Sequence, residues 1–160
     1  MTSFSSVAGG IRRRRASATE ELATTSREPE SPRAREPGRP GATAGTAGSA
    51  YLLPLSFLWD GAGIIVATRR SSVTGRNLSR GGRVRVGVGQ LRDVTMIDGT
   101  VELVDDEQVK DAFAVKHGWD PREETGDYAY FRIVPDRMQA WREVNELPGR
   151  TLMRDGDWLA

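Results

Sequence analysis

The pair Asp60-Gly61 stands between two short apolar runs, Tyr51–Leu58 and Ile64–Ala67, and no other feature of the sequence restricts the fold as much. This arrangement is a β-hairpin signal, since glycine takes the positive φ of a tight turn without steric cost. Pro54 breaks the first run, while the second is apolar, mostly β-branched and reads as the returning strand. The hairpin leads into Thr68-Arg69-Arg70-Ser71-Ser72-Val73-Thr74 and then Arg76-Asn77-Leu78, which looks helical. A serine at a helix start satisfies orphan backbone N–H groups, and such groups beside arginines can hold a phosphate. The rest of the ordered chain reads as scaffold around this loop.

The first helix is expected over Ser72–Arg80, stopped by Gly81-Gly82. Arg83–Gly89 alternates, with Val84, Val86 and Val88 on one face and Arg83, Arg85 and Gly87 on the other, as a half-buried strand does. Val94–Val104 is a longer strand with a bulge marked by Gly99. Asp105 caps a second helix, with Gln108 at the capping-box position; Val109, Ala112 and Phe113 line one face, and the helix ends by Gly118. Trp119–Asp127 is a polar loop. Tyr128–Val134 is a strand interrupted by Pro135, and Arg137–Val144 is either further strand or a helical turn. Asp155-Gly156 turns a small terminal hairpin within Leu152–Leu159. Short strands with two or three small helices between them predict a mostly β, antiparallel barrel of about six strands rather than an alternating βαβ sheet.

Composition divides the chain near residue 50. Met1–Ala50 hold eight arginines against five glutamates, and the remaining 110 residues carry 15 basic and 17 acidic side chains. That balance makes nucleic acid an unlooked-for partner of the folded part. Its length builds one modest core, which a second copy of the chain would help to cover. Residues 1–41 have no periodicity and hold Pro29, Pro32, Pro37 and Pro40. They are expected to form a disordered tail, leaving one domain over 42–160. The Arg12–Arg15 run reads as solvated charge, contact with nucleic acid or another anionic surface being the second reading.

The absence of cysteine excludes disulfides, thiolate metal sites and cysteine nucleophiles, and a single histidine, His117, excludes a multi-histidine cage. No apolar run reaches eighteen residues and no apolar core follows Arg12–Arg15, so neither a membrane span nor a secretory signal is expected, and the cytoplasm is the plain compartment. No G-x-S-x-G, P-loop or G-x-G-x-x-G pattern occurs; Gly87-Val88-Gly89 is followed by Arg92 where the last needs glycine. Carboxylates are scattered without an acid–base pair. His117 is expected at the surface or as a helix C-cap, and Trp59, Trp119, Trp141 and Trp158 as packing residues, ligand stacking being the alternative.

Four segments in a fixed order carry a resemblance. They are P-x-S-F-x-W at Pro54–Trp59, Ala67-Thr68, the basic serine-rich Arg69–Thr74, and Arg76-Asn77-Leu78. Together they resemble the split β-barrel flavoproteins of the pyridoxamine 5′-phosphate oxidase-like family and their deazaflavin-using relatives. The resemblance runs from about Ala42 to the C-terminus, with looser matches at Tyr130-Phe131-Arg132, Ala140-Trp141-Arg142 and Gly156-Asp157-Trp158-Leu159. It implies a split β-barrel homodimer that holds flavin mononucleotide (FMN), or a deazaflavin coenzyme, between two subunits. By position, Arg69, Arg70, Ser72, Thr74 and Asn77 would face the phosphate, with Thr68 beside them, and Leu55, Ser56 and Phe57 would border the ring. Many relatives carry lysine where this chain has Thr74, a departure that weakens the phosphate site unless Arg69 or Arg70 compensates.

The implied function is a flavin- or deazaflavin-dependent oxidoreductase moving a hydride or electrons to a small substrate or to oxygen. The alternative is a non-catalytic flavin- or haem-binding protein. Relatives begin with a helix and a first barrel strand. Here Ala42-Thr43-Ala44-Gly45 and Gly48-Ser49-Ala50 fall at the strand end and turn, while Arg/Pro/Gly-rich text replaces what should precede them. A reading-frame or start error before about Gly41 is one explanation, which an intact frame on resequencing would exclude.

Overall fold

The computed structural model describes residues 40–44, 50–90 and 93–159. Apart from Pro40 and Gly41, the tail expected over residues 1–41 lies outside the described residues. Among the described residues nine strands and two α-helices follow one another: β1 (Pro40–Ala44), β2 (Ala50–Pro54), β3 (Phe57–Trp59), β4 (Ile64–Arg69), α1 (Val73–Ser79), β5 (Arg83–Gln90), β6 (Asp93–Val104), α2 (Glu107–His117), β7 (Tyr128–Trp141), β8 (Thr151–Arg154) and β9 (Asp157–Trp158). Short 3₁₀ turns occupy Pro121–Glu123 and Val144–Glu146.

Every strand pair is antiparallel, and the sheet runs β2-β1-β5-β6-β7-β4-β3, with β8 on β7 and β9 on β8. β2 and β3 therefore lie at opposite edges, yet only Leu55 and Ser56 separate them in the chain. The three Cα steps from Pro54 to Phe57 reach on the order of 11 Å. The sheet has to curl until its two edges nearly meet, which makes it an open antiparallel barrel of the split kind. The run Tyr51–Leu58, expected as one strand, is thus two strands with different neighbours. With that division and β1, the described residues form nine strands where about six are expected.

Two apolar clusters lie on opposite faces of the β3-β4-β7 sheet. Phe57, Ile64, Val66, Phe131 and Ile133 face the barrel interior with Leu78, Val84, Val88, Ile97, Met138 and Leu152. Leu58, Ile65, Ala67 and Tyr130 face outward against Val104 and Phe113, with Val109 and Trp119 packed at the margin. Coverage on both faces is why Ile64–Ala67 is apolar without alternation. Val84 and Val88 on β5 point inward while Arg83 and Arg85 stay exposed, as the alternation there requires. On α2, Phe113 is buried and Val109 partly so, whereas Ala112 is exposed and off the packed stripe.

Pro135 does not interrupt its strand. Its missing N–H falls at a bulge: Gly99 pairs with Pro135 and Asp98 with Arg137, so Asp136 is the extra residue. A Cβ on Gly99 would meet the Val134 carbonyl oxygen at 2.2 Å, which explains glycine at that point. The α2 cap is Asp106, one residue beyond the expected Asp105, and its carboxylate accepts from the Gln108 and Val109 N–H groups. Asp105 instead pairs with Lys110 at 2.7 Å. The terminal hairpin turns at Asp155 and Gly156, both at positive φ.

The β3–β4 turn is held by one carboxylate. Asp60 Oδ1 accepts from Ala62 N at 2.9 Å and Gly63 N at 2.8 Å, and Oδ2 takes Arg132 Nε and Nη2 at 2.7 Å each. Gly63 is required there, because a Cβ would meet the Ile133 carbonyl oxygen at 2.5 Å. With Asp60 9% and Arg132 25% exposed, truncation strands a part-buried guanidinium. Asp60→Ala is expected to lower stability by about 2–3 kcal/mol, read as a fall in Tm of roughly 10 °C, with Asp60→Asn intermediate because it keeps the turn bonds.

Candidate functional site

The link that joins the two sheet edges also forms one wall of a cleft of about 420 Å³. Pro54 ends β2, Leu55 and Ser56 form the link, Ala67, Thr68 and Arg69 come from the end of β4, and Ser72 from the cap of α1. Phe113, Trp119 and Tyr128 close the far side. Hydroxyls and one guanidinium thus gather at the β4–α1 corner, facing an aliphatic and aromatic surface.

The corner is fixed by local bonds. Ser72 Oγ accepts from Gly75 N at 2.9 Å and lies 3.1 Å from Thr68 Oγ1, so the cap ties the helix start to the strand end. The Ser72 N–H donates to the Arg69 carbonyl at 3.0 Å, and Arg76 Nη1 reaches the Ser71 carbonyl. A Cβ on Gly75 would stand 2.1 Å from the Arg69 carbonyl oxygen, so only glycine lets α1 sit this close.

The two arginines, alike in sequence, differ in surroundings. Arg70 donates its N–H to the Asp127 carbonyl at 2.8 Å and places Nε 3.4 Å from Asp127 Oδ1. Arg69 lines the cleft, donates Nε to the Tyr128 hydroxyl at 3.2 Å, and holds its guanidinium carbon 5.5 Å from the centre of the Tyr128 ring. Among the described residues it has no carboxylate partner. Tyr128 in turn meets Trp119 edge to face with centroids 5.6 Å apart, and Trp119 Nε1 donates to Glu124 at 2.7 Å. The intervening loop is pinned to α2 by Arg122, which contacts Glu107, Asp111 and Asp120 at 2.7–2.8 Å. These exposed pairs act as a network rather than as strong individual bonds.

A family model for pyridoxamine 5′-phosphate oxidase matches residues 41–142. The chain belongs to this family. Among curated proteins none matches. Solved structures share the fold, among them the following three. One is a Listeria innocua protein assigned as a pyridoxamine 5′-phosphate oxidase, with 17% identity, TM-score 0.59, and coverage of 78% of this chain and 98% of that one. General stress protein 26 of Bacillus anthracis has 20% identity, TM-score 0.56, and coverage of 76% and 92%. An F420 reductase has 18% identity, TM-score 0.53, and coverage of 64% and 90%.

Of the residues that the family resemblance singles out, the structure brings Leu55, Ser56, Thr68, Arg69 and Ser72 together on the cleft. It does not bring the others there. Phe57 is buried in the barrel interior, Arg70 turns to Asp127, Asn77 lies half-buried on α1, and Thr74 is 1% exposed. The absent lysine at position 74 is therefore a change at a closed position rather than on the cleft lining. Sequence reasoning did not place Phe113 or Tyr128 at a site, and it left Trp119, which lines the cleft, primarily as a packing residue. Their aromatic character was legible, but their convergence depends on α2 and β7 meeting in space. Trp59 and Trp158 pack against the interior core, and Arg150 lies over the Trp141 ring.

His117 is half-buried in the last turn of α2, and the C-cap is Gly118 in the left-handed region. It stacks on Phe113 with centroids 4.5 Å apart, and its Nε2 lies 3.2 Å from the Phe57 carbonyl oxygen that also accepts from Lys116 Nζ. Burial, reinforced by the Lys116 charge, pushes its pKa down to about 4 from 6.5. The folded state thus favours neutral His117. Its contribution is complete above about pH 6.5 and is lost as pH falls toward 4, because the unfolded chain binds the proton first. Chemical denaturation is expected to show the parent losing more stability across that window than His117→Gln.

Proposed function

We propose that the cleft binds a flavin-type cofactor, FMN or a deazaflavin coenzyme, and that the protein is an oxidoreductase acting on a small molecule. The observation that carries this reading is the two-sided cleft itself. Arg69 and the Thr68 and Ser72 hydroxyls suit a phosphate, and the Leu55–Ser56 edge with the aromatic wall suits a planar ring. Arg69 supplies charge and directed donors. Ser72, already bonded to Gly75 N, positions its hydroxyl rather than moving freely. Leu55 and Phe113 exclude water from the ring side.

A flavin supplies hydride or electron transfer when bound, and the protein provides orientation and electrostatics. Among the described residues, the lining contains no carboxylate, lysine or histidine to serve as a general acid or base, in keeping with that division of labour. Haem held by histidine is disfavoured, because His117 Nε2 is engaged by the Phe57 carbonyl and the ring lies behind Phe113. The similarity to an F420 reductase keeps the deazaflavin within the proposal. A homodimer fits the exposed Tyr51 and Leu52 on the edge strand β2.

Fluorescence titration tests the phosphate end. A hydrogen bond to a charged group contributes roughly 1.5–3 kcal/mol, so Arg69→Ala is expected to weaken FMN binding by about 10- to 100-fold. Riboflavin, which lacks the phosphate, should bind the parent more weakly and be little affected. Arg70→Ala is expected to cost less than Arg69→Ala, since its side chain serves Asp127. Equal binding of FMN and riboflavin by the parent, or equal losses in the two variants, contradicts the assignment.

A further inference from the structure

We propose that Tyr128 is a positioning residue for Arg69 and thereby sets the preference of the cleft for a phosphorylated over an unphosphorylated ligand. This rests on the flavin reading above. An exposed arginine ordinarily samples many rotamers, and holding one of them has an entropic cost. Here three features of a single turn restrict it. The Tyr128 hydroxyl accepts from Arg69 Nε at 3.2 Å, leaving the outer guanidinium nitrogens for a ligand. The Tyr128 ring lies beneath the guanidinium at 5.5 Å, within cation–π range. Gly126, at φ +148°, leaves room for the arginine, since a Cβ there would stand 3.3 Å from Arg69 Nε.

The same turn removes the competitor. Asp127 takes both the backbone N–H and the side chain of Arg70, so only one of two adjacent arginines is presented. Trp119 braces the Tyr128 ring edge to face, and Arg122 secures the loop that carries Trp119. Gly126–Tyr128 therefore works as a backrest that selects and orients one cation. Tyr128 acts through Arg69, and its signature is a loss of discrimination beyond any loss of affinity common to both flavins.

The test compares FMN and riboflavin dissociation constants, by quenching of flavin fluorescence, in the full chain. Tyr128→Phe keeps the ring and loses the hydroxyl, and is expected to lower the FMN preference about threefold. Tyr128→Leu loses both and is expected to lower it about tenfold. In an Arg69→Ala background, Tyr128→Leu should leave the residual preference unchanged, because the group it positions is gone. A preference retained in both single variants, or lowered by the same factor with and without Arg69, overturns the proposal alone. A parent that binds the two flavins equally overturns the flavin reading and this proposal together.

Discussion

Two residues, Leu55 and Ser56, connect opposite edges of a nine-stranded sheet, and the rest of the architecture follows from that short tether. A chain that crosses from edge to edge in about 11 Å forces the sheet to curl. Curling encloses Val84, Val88, Ile97, Phe131 and Met138, and it leaves the β3-β4-β7 face outside, where α2 must cover it. The tether itself cannot join the regular ladder. It becomes a wall of irregular backbone beside the end of β4, and a cleft forms where the barrel is split.

Double coverage of β4 then gives the site its rigidity. Ile64 and Val66 are locked into the interior, and Ile65 and Ala67 lie under α2, so Thr68 and Arg69 emerge from a strand with little freedom to shift. The turn that follows is closed by Ser72 and by the glycine at 75, whose missing side chain lets α1 press on the Arg69 carbonyl. Stability and site geometry are thereby linked. Substitutions at Gly75 act on the arginine through the backbone without touching the cleft.

The sequence made legible what depends on neighbours along the chain. Asp60-Gly61, the Ser72 cap, the Gly99 bulge and the Asp155-Gly156 hairpin are all short-range signals, and each is where it was expected. Misreadings came from long-range effects. Pro135 looked like an end of strand, but opposite Gly99 it is absorbed by the bulge. Pro54 marked a break in Tyr51–Leu58, but nothing local says that the two halves pair with different strands, β1 and β4. Arg69 and Arg70 were indistinguishable until Asp127 and Tyr128, almost sixty residues on, were seen to take one each. His117 looked like a terminal cation and is instead a neutral packing group whose environment holds its pKa near 4.

The central claim is that a cofactor phosphate meets the β4–α1 corner at Arg69. A crystal structure of the full chain grown with FMN examines it directly. The account predicts phosphate oxygens at about 3 Å from the Arg69 guanidinium and from the Thr68 or Ser72 hydroxyl, with the isoalloxazine ring along Leu55–Ser56. A phosphate bound elsewhere, or an Arg69 that leaves the Tyr128 ring to face solvent while FMN occupies the cleft, would contradict it.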